Sequence, residues 1–94
     1  MRPRAVVAEL LGTLALTLSV SISVHNPGFP IPAPAMAGLT LGVLVHLLGP
    51  VSGCLLNPAI ALGIGSFSLP YVWGPVLGAV AGAQLSRYAC DPEA

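Results

Sequence analysis

Ninety-four residues are enough for one compact unit, but 55% hydrophobic against 6% charged residues, at a mean hydropathy of +0.92, leave too little polar surface to cover a soluble core. A free globular monomer is excluded, and the composition places the chain in a lipid bilayer. Arg2, Arg4 and Arg87 balance Glu9, Asp91 and Glu93, which leaves no basic patch for nucleic acid. The interior polar groups, Glu9, His46, Cys54, Asn57, Gln84 and scattered hydroxyls, are too dispersed for catalysis. No enzyme activity and no cofactor are expected.

Residues 5–24, AVVAELLGTLALTLSVSISV, carry a single charge and are long enough, at about 1.5 Å per residue, to cross a hydrocarbon core of about 30 Å. They predict a first span. The competing reading is a signal peptide with Arg2 and Arg4 as its basic region and Ala35-Met36-Ala37 as its cleavage site. Glu9 inside the apolar run and the prolines ahead of that site oppose it. Residues 25–34, HNPGFPIPAP, hold four prolines and predict an extended surface loop that contains His25. A second span follows over about 35–50, bracketed by Pro34 and Pro50, with Gly38 and Gly42 on one face. Residues 71–88, YVWGPVLGAVAGAQLSRY, predict a third. Tyr71, Trp73 and Tyr88 stand at belt depth there, and Arg87 can snorkel to the headgroups. Gly74, Gly78 and Gly82 form a small-residue stripe that invites a close helix neighbour.

Between the second and third spans lies GPVSGCLLNPAIALGIGSFSLP, too apolar for a water-exposed loop and too short to span. Asn57 is a favoured N-cap, and Pro58 at the first helical position loses only an amide that would be orphaned anyway. The helix they start, from Pro58 to about Ile64, reaches roughly 10 Å, half way through a bilayer. Irregular backbone ahead of such a half-helix is tolerated at membrane depth only where protein or a water-filled cavity satisfies it. The segment, about 51–65, predicts a re-entrant loop lining a pore.

SGCLLNPAIALG closely resembles the Asn-Pro-Ala loop of the aquaporin and glycerol-channel family. AELLGTLALTL at Ala8–Leu18 resembles that family's first helix, LGPVSG the entry to its re-entrant loop, and YVWGPVLGAVAGAQLSRY its last helix, so the resemblance runs from about residue 8 to 88. It implies an all-α integral membrane fold. The chain is then a single aquaporin-like repeat over 1–94, with three transmembrane helices and one re-entrant half-helix, completed by an inverted second copy. Family members carry two such repeats in one polypeptide, and this chain has one. Asn57-Pro58-Ala59-Ile60 is similar to the first-repeat loop, whereas His46, Cys54 and the third helix look more like the second. Ile60 stands where the second repeat carries the Arg of the narrow filter.

Half a channel cannot enclose a path, so a partner of reversed topology is required. Arg2 and Arg4 on one side against Arg87 on the other is a bias of one, weak enough to permit dual insertion. An antiparallel homodimer with its axis in the membrane plane is expected. By resemblance, four such dimers associate through small-residue faces, in a plasma or bacterial-type inner membrane.

The resemblance assigns Asn57, Pro58 and Ala59 to the meeting point of two half-helices at the midplane. There the helix dipoles repel cations, and the Asn57 amide offers two donors to passing water; the plainer role for Asn57 is capping alone. It also implies that the carbonyls of Gly53, Cys54, Leu55 and Leu56 form an acceptor ladder. Cys54 is either lumen-facing or a buried inert thiol. His46 is either a filter residue or a helix-packing histidine. With His25 and Cys90 these residues are spread over both sides, which argues against a zinc site and against a Cys54–Cys90 disulfide. Glu9 is costly in a membrane unless buried backbone donates to it, and the resemblance assigns it to bracing the re-entrant loop. The function implied is passive flux of water and small uncharged solutes such as glycerol. The alternatives are a dual-topology proton-coupled transporter using Glu9 and His46, and a non-conducting half-channel that pairs with another subunit.

Overall fold

The computed structural model describes residues 3–54, 56, 63–65 and 70–90. They contain three long helices: α1 (Pro3–His25), α2 (Ala33–Ser52) and α3 (Pro70–Cys90). The Asn-Pro-Ala tripeptide, Leu55, Ile60 and most of the expected half-helix lie outside the described residues.

α1 ends where its last carbonyls find side-chain partners. Asn26 Nδ2 donates to the Ile22 carbonyl at 2.7 Å, and His25 Nδ1 lies 3.0 Å from the Ser21 carbonyl. Pro27 then prevents continuation. His25 is therefore the last residue of α1 and not part of the loop, which shortens to 26–32. That connection is ordered by the Phe29 amide donating to the Asn26 carbonyl at 3.0 Å and by Ser23 Oγ donating to the Ile31 carbonyl at 2.6 Å.

α2 departs from the expected bracket at both ends. Pro32 is its extended N-cap, and Pro34 falls within the first turn, where a missing amide costs nothing. At the other end the helix continues through Pro50 to Ser52. Pro50 sits in the last turn, so it removes one bond, to the His46 carbonyl, without preventing the Gly53 amide from closing the helix on the Gly49 carbonyl at 2.7 Å.

α1 is the middle helix. It packs against both α2 and α3, which make no helix-to-helix contact with each other among the described residues. Among the described residues the arrangement is open, with α1 between the other two helices. The α1–α3 seam is built on the glycine stripe. A Cβ placed on Gly74 would lie 2.7 Å from Glu9 Cβ and 3.1 Å from the Val6 carbonyl oxygen, and one on Gly82 would lie 2.7 Å from the Leu14 carbonyl oxygen. On Gly78 it would run into the Leu10 carbonyl oxygen. The glycine Cα–H groups thus meet a row of α1 carbonyls at Val6, Leu10 and Leu14, a close approach that adds weak C–H···O attraction. This stripe is occupied within the chain and is not a free face for assembly. Gly38 and Gly42 of α2, by contrast, have no atom within 4 Å of their Cβ positions.

Because Gly74, Gly78 and Gly82 meet successively later residues of α1, the two helices run parallel. Leu48, late in α2, reaches Gly12 in the first half of α1, as an antiparallel neighbour must. The chain therefore runs up, down and up, with its two ends at opposite ends of the helices. Among the described residues α1 and α2 are long and apolar enough to cross a membrane. α3 has the length, at 21 residues, but its glycines, Gln84, Ser86 and Arg87 lower its hydropathy.

Candidate functional site

Leu48 and Leu56 are eight residues apart in sequence, yet both reach Gly12: a Cβ there would lie 3.1 Å from Leu48 Cδ1 and 2.8 Å from Leu56 Cδ2. The backbone leaves α2 and reverses between them, back toward the middle of α1. Gly53 starts the reversal at φ 84. Cys54 at φ 51 and Leu56 at φ 55 follow in the same left-handed region, which costs a residue with a Cβ about 1–2 kcal/mol each.

Two hydrogen bonds hold this backbone against its strain. The Cys54 amide donates to Ser52 Oγ at 3.1 Å, and the Leu56 amide donates to Glu9 Oε2 at 3.1 Å across 47 residues of sequence. Glu9 is fully buried at 0% exposure. A carboxyl oxygen accepting from a buried amide spares that amide the cost of an unmade bond. Together with the Gly53 bond to Gly49, every described amide of the turn is spent on protein. The carbonyls of Gly53, Cys54 and Leu56 have no hydrogen-bond partner among the described residues. Among the described residues the turn is thus one-sided, with its donors spent on protein and its acceptors not.

Gly53 closes α2 in the left-handed region, where a side chain adds backbone strain. Gly53→Ala is expected to cost about 1 kcal/mol through its φ of 84, read as a lower thermal midpoint of the purified protein.

Cys54 is a free cysteine, 3% exposed, and Leu56 is 7% exposed. His46 is exposed, on the side of α2 turned away from the Leu48 contact with α1. With no amide on Pro50, its carbonyl also lacks the intrahelical donor one turn on. Glu9, Cys54 and Leu56 are brought together; His46 is not part of that cluster. Asn57, Pro58, Ala59, Ile60 and Leu55 lie outside the described residues.

Two residues that touch the turn have no role that the sequence alone assigns. Gly12 is the seat on which Leu56 rests, and Ser52 supplies the acceptor for Cys54. Thr13, 7% exposed and one turn beyond Glu9, holds a buried hydroxyl oxygen with no hydrogen-bond partner among the described residues. Gly12 and Thr13 share the buried face of α1 with Ala5, Ala8 and Glu9, a spacing visible in the sequence.

The chain is 34% identical to Aquaporin Z of Rhodopseudomonas palustris, over 90% of this chain and 41% of that protein. It is 43% identical to Aquaporin-2 of Ovis aries, over 95% of this chain and 37% of that protein. To Aquaporin-2 of Equus caballus it is 41% identical, over 96% of this chain and 93% of that sequence. The chain thus spans about two fifths of the length of the first two relatives. No family model matches it, and no solved structure does.

Proposed function

The chain belongs to the aquaporin family and is an integral membrane protein, and on that premise we propose that two copies inserted in opposite orientations form one passive path for water and small uncharged solutes. The observation that carries this reading is the one-sided turn at Gly53–Leu56. Its amides are satisfied by Gly49, Ser52 and Glu9, while its carbonyls are not satisfied by the described protein. Carbonyls that no described residue satisfies, at the level of Gly12 in the body of a membrane helix, are suited to line a water-filled cavity. A file of acceptors beside such a cavity receives the hydrogens of water, or of a neutral solute with hydroxyl or amine donors.

The open arrangement supports the same reading. Among the described residues α2 and α3 flank α1 without meeting, and three helices so placed do not surround a lumen. An inverted copy related by an axis in the membrane plane supplies the missing wall and a second turn from the opposite face. Glu9 braces the turn. Leu55 continues the carbonyl run, Asn57 caps the half-helix and turns its amide toward the path, and Pro58 and Ala59 pack the two half-helices together at the midplane. Ile60 leaves the filter without a cation. Arg2, Arg4 and Arg87 are the only Lys or Arg residues of the chain, so two copies provide no other, and both mouths are aliphatic. That widens the solutes admitted toward glycerol. Such dimers assemble further, as tetramers, in a plasma or bacterial-type inner membrane.

Proteoliposomes of the pure chain, given an osmotic step with a pH dye inside, test the proposal. Fast shrinkage at unchanged internal pH is the expected result. Proton movement coupled to solute would replace the channel with a transporter, and shrinkage no faster than protein-free vesicles would leave a non-conducting half.

A further inference from the structure

Thr13 carries a hydroxyl that no described residue uses. Its side chain is 7% exposed, its oxygen is buried, and it has no hydrogen-bond partner among the described residues. A helical hydroxyl ordinarily bonds a carbonyl one turn back, as Ser19 Oγ does on this same helix by donating to the Leu16 carbonyl at 3.0 Å. Thr13 does not. At about 100° per residue, it lies about 40° around α1 from Glu9, between Gly12, which meets Leu48 and Leu56, and Leu14, which meets α3 at Gly78 and Gly82. The hydroxyl therefore belongs to the wedge between α2 and α3 that the turn enters at Leu56, on the side of the Glu9 carboxyl.

We infer that one resident water is held in this wedge behind the turn, accepting from the Thr13 hydroxyl and donating to the Glu9 carboxyl. Residues four apart on a helix stand about 5–6 Å apart at Cβ, a gap that a water making two hydrogen bonds of about 2.8 Å each can span. The carboxyl has the capacity. Its two oxygens offer about four lone-pair sites, so accepting the Leu56 amide at Oε2 leaves room for a further donor. Two polar partners suffice to hold a buried water, and with Glu9 at 0% and Thr13 at 7% exposure the site is closed to bulk solvent. The water is thus part of the fold and not of the permeating file. It fixes the direction of the carboxyl toward Leu56, which makes Thr13 a positioning residue that acts on the turn through Glu9. The inference goes beyond the channel reading and stands whether or not two copies conduct.

Thr13→Val keeps the branched shape and removes the hydroxyl, and the sign of its effect decides. Removing a hydroxyl that bonds nothing relieves a buried unmade bond and raises the thermal midpoint, whereas removing one end of a water bridge lowers it, by about 5 °C. The lower midpoint is the expected result. In a Glu9→Leu background, where the bridge has already lost its other end, the same substitution should lower the midpoint no further. Magnetic relaxation dispersion of the water oxygen counts long-lived waters in the purified chain, a class from which water moving along a conducting path is excluded by its fast exchange. The wild type and Thr13→Ser should each hold one more such water than Thr13→Val. A Thr13→Val midpoint at or above the wild-type value, an equal loss with and without Glu9, or an equal water count in the wild type and Thr13→Val would each overturn the inference. Should Thr13→Val fail to fold, absence of a long-lived water from both the wild type and Thr13→Ser overturns it instead. None of these readouts measures flux, so failure of the channel reading is seen separately, in vesicles.

Discussion

Gly78→Ala is expected to destabilise the folded chain by about 3 kcal/mol or more. The added methyl would run into the Leu10 carbonyl oxygen and lie 3.0 Å from the Leu14 nitrogen, both of them α1 backbone. No side-chain rotation relieves such a clash, so α1 and α3 must separate. Gly74 and Gly82 lie on the same seam and lose their approach with it. The same substitution at Gly38, with no atom within 4 Å, should leave the folded monomer within about 0.5 kcal/mol of the wild type. Thermal unfolding in one detergent, for both variants, reads the contrast. Equal midpoints would show that the helices do not meet through the stripe.

Glu9→Leu is the second substitution with a large expected effect, and it acts on the turn rather than the seam. It removes the acceptor of the Leu56 amide, and an orphaned buried amide costs about 1–3 kcal/mol. Leu56 also loses the tie that holds its left-handed backbone. Because about 1.4 kcal/mol is tenfold in a population, water flux per protein should fall about tenfold or more. Glu9→Gln keeps an oxygen that can accept the Leu56 amide and should retain most of both. Comparable flux from the Leu variant and the wild type would remove Glu9 from the bracing role.

The helices were legible because membrane spans announce themselves through length and hydropathy, and α1 does so from Val6 to Val24 with one charge. Their ends were not. Pro34 and Pro50 look like boundaries in the sequence, whereas at the first turn and the last turn of α2 a missing amide is cheap, and the helix includes both. The glycine stripe of α3 was visible as periodicity, but periodicity does not name the neighbour; α1 takes it because the two helices run parallel at close range. At the turn, a lone carboxyl in an apolar run required a buried donor, and Leu56 supplies one from 47 residues away. Ser52 and Gly12 were illegible for a different reason. A serine next to a glycine and a glycine in a helix are common, and their roles emerge only once the chain reverses and brings Leu48 and Leu56 to one place.

Sidedness of the N-terminus reaches the central proposal most directly. With a small tag ahead of Pro3 and intact vesicles probed by an impermeant label from outside, then again after permeabilisation, two inverted copies per path predict that about half of the tags react from each side. Every tag on one face of the membrane would contradict a path built from two opposed copies of this chain.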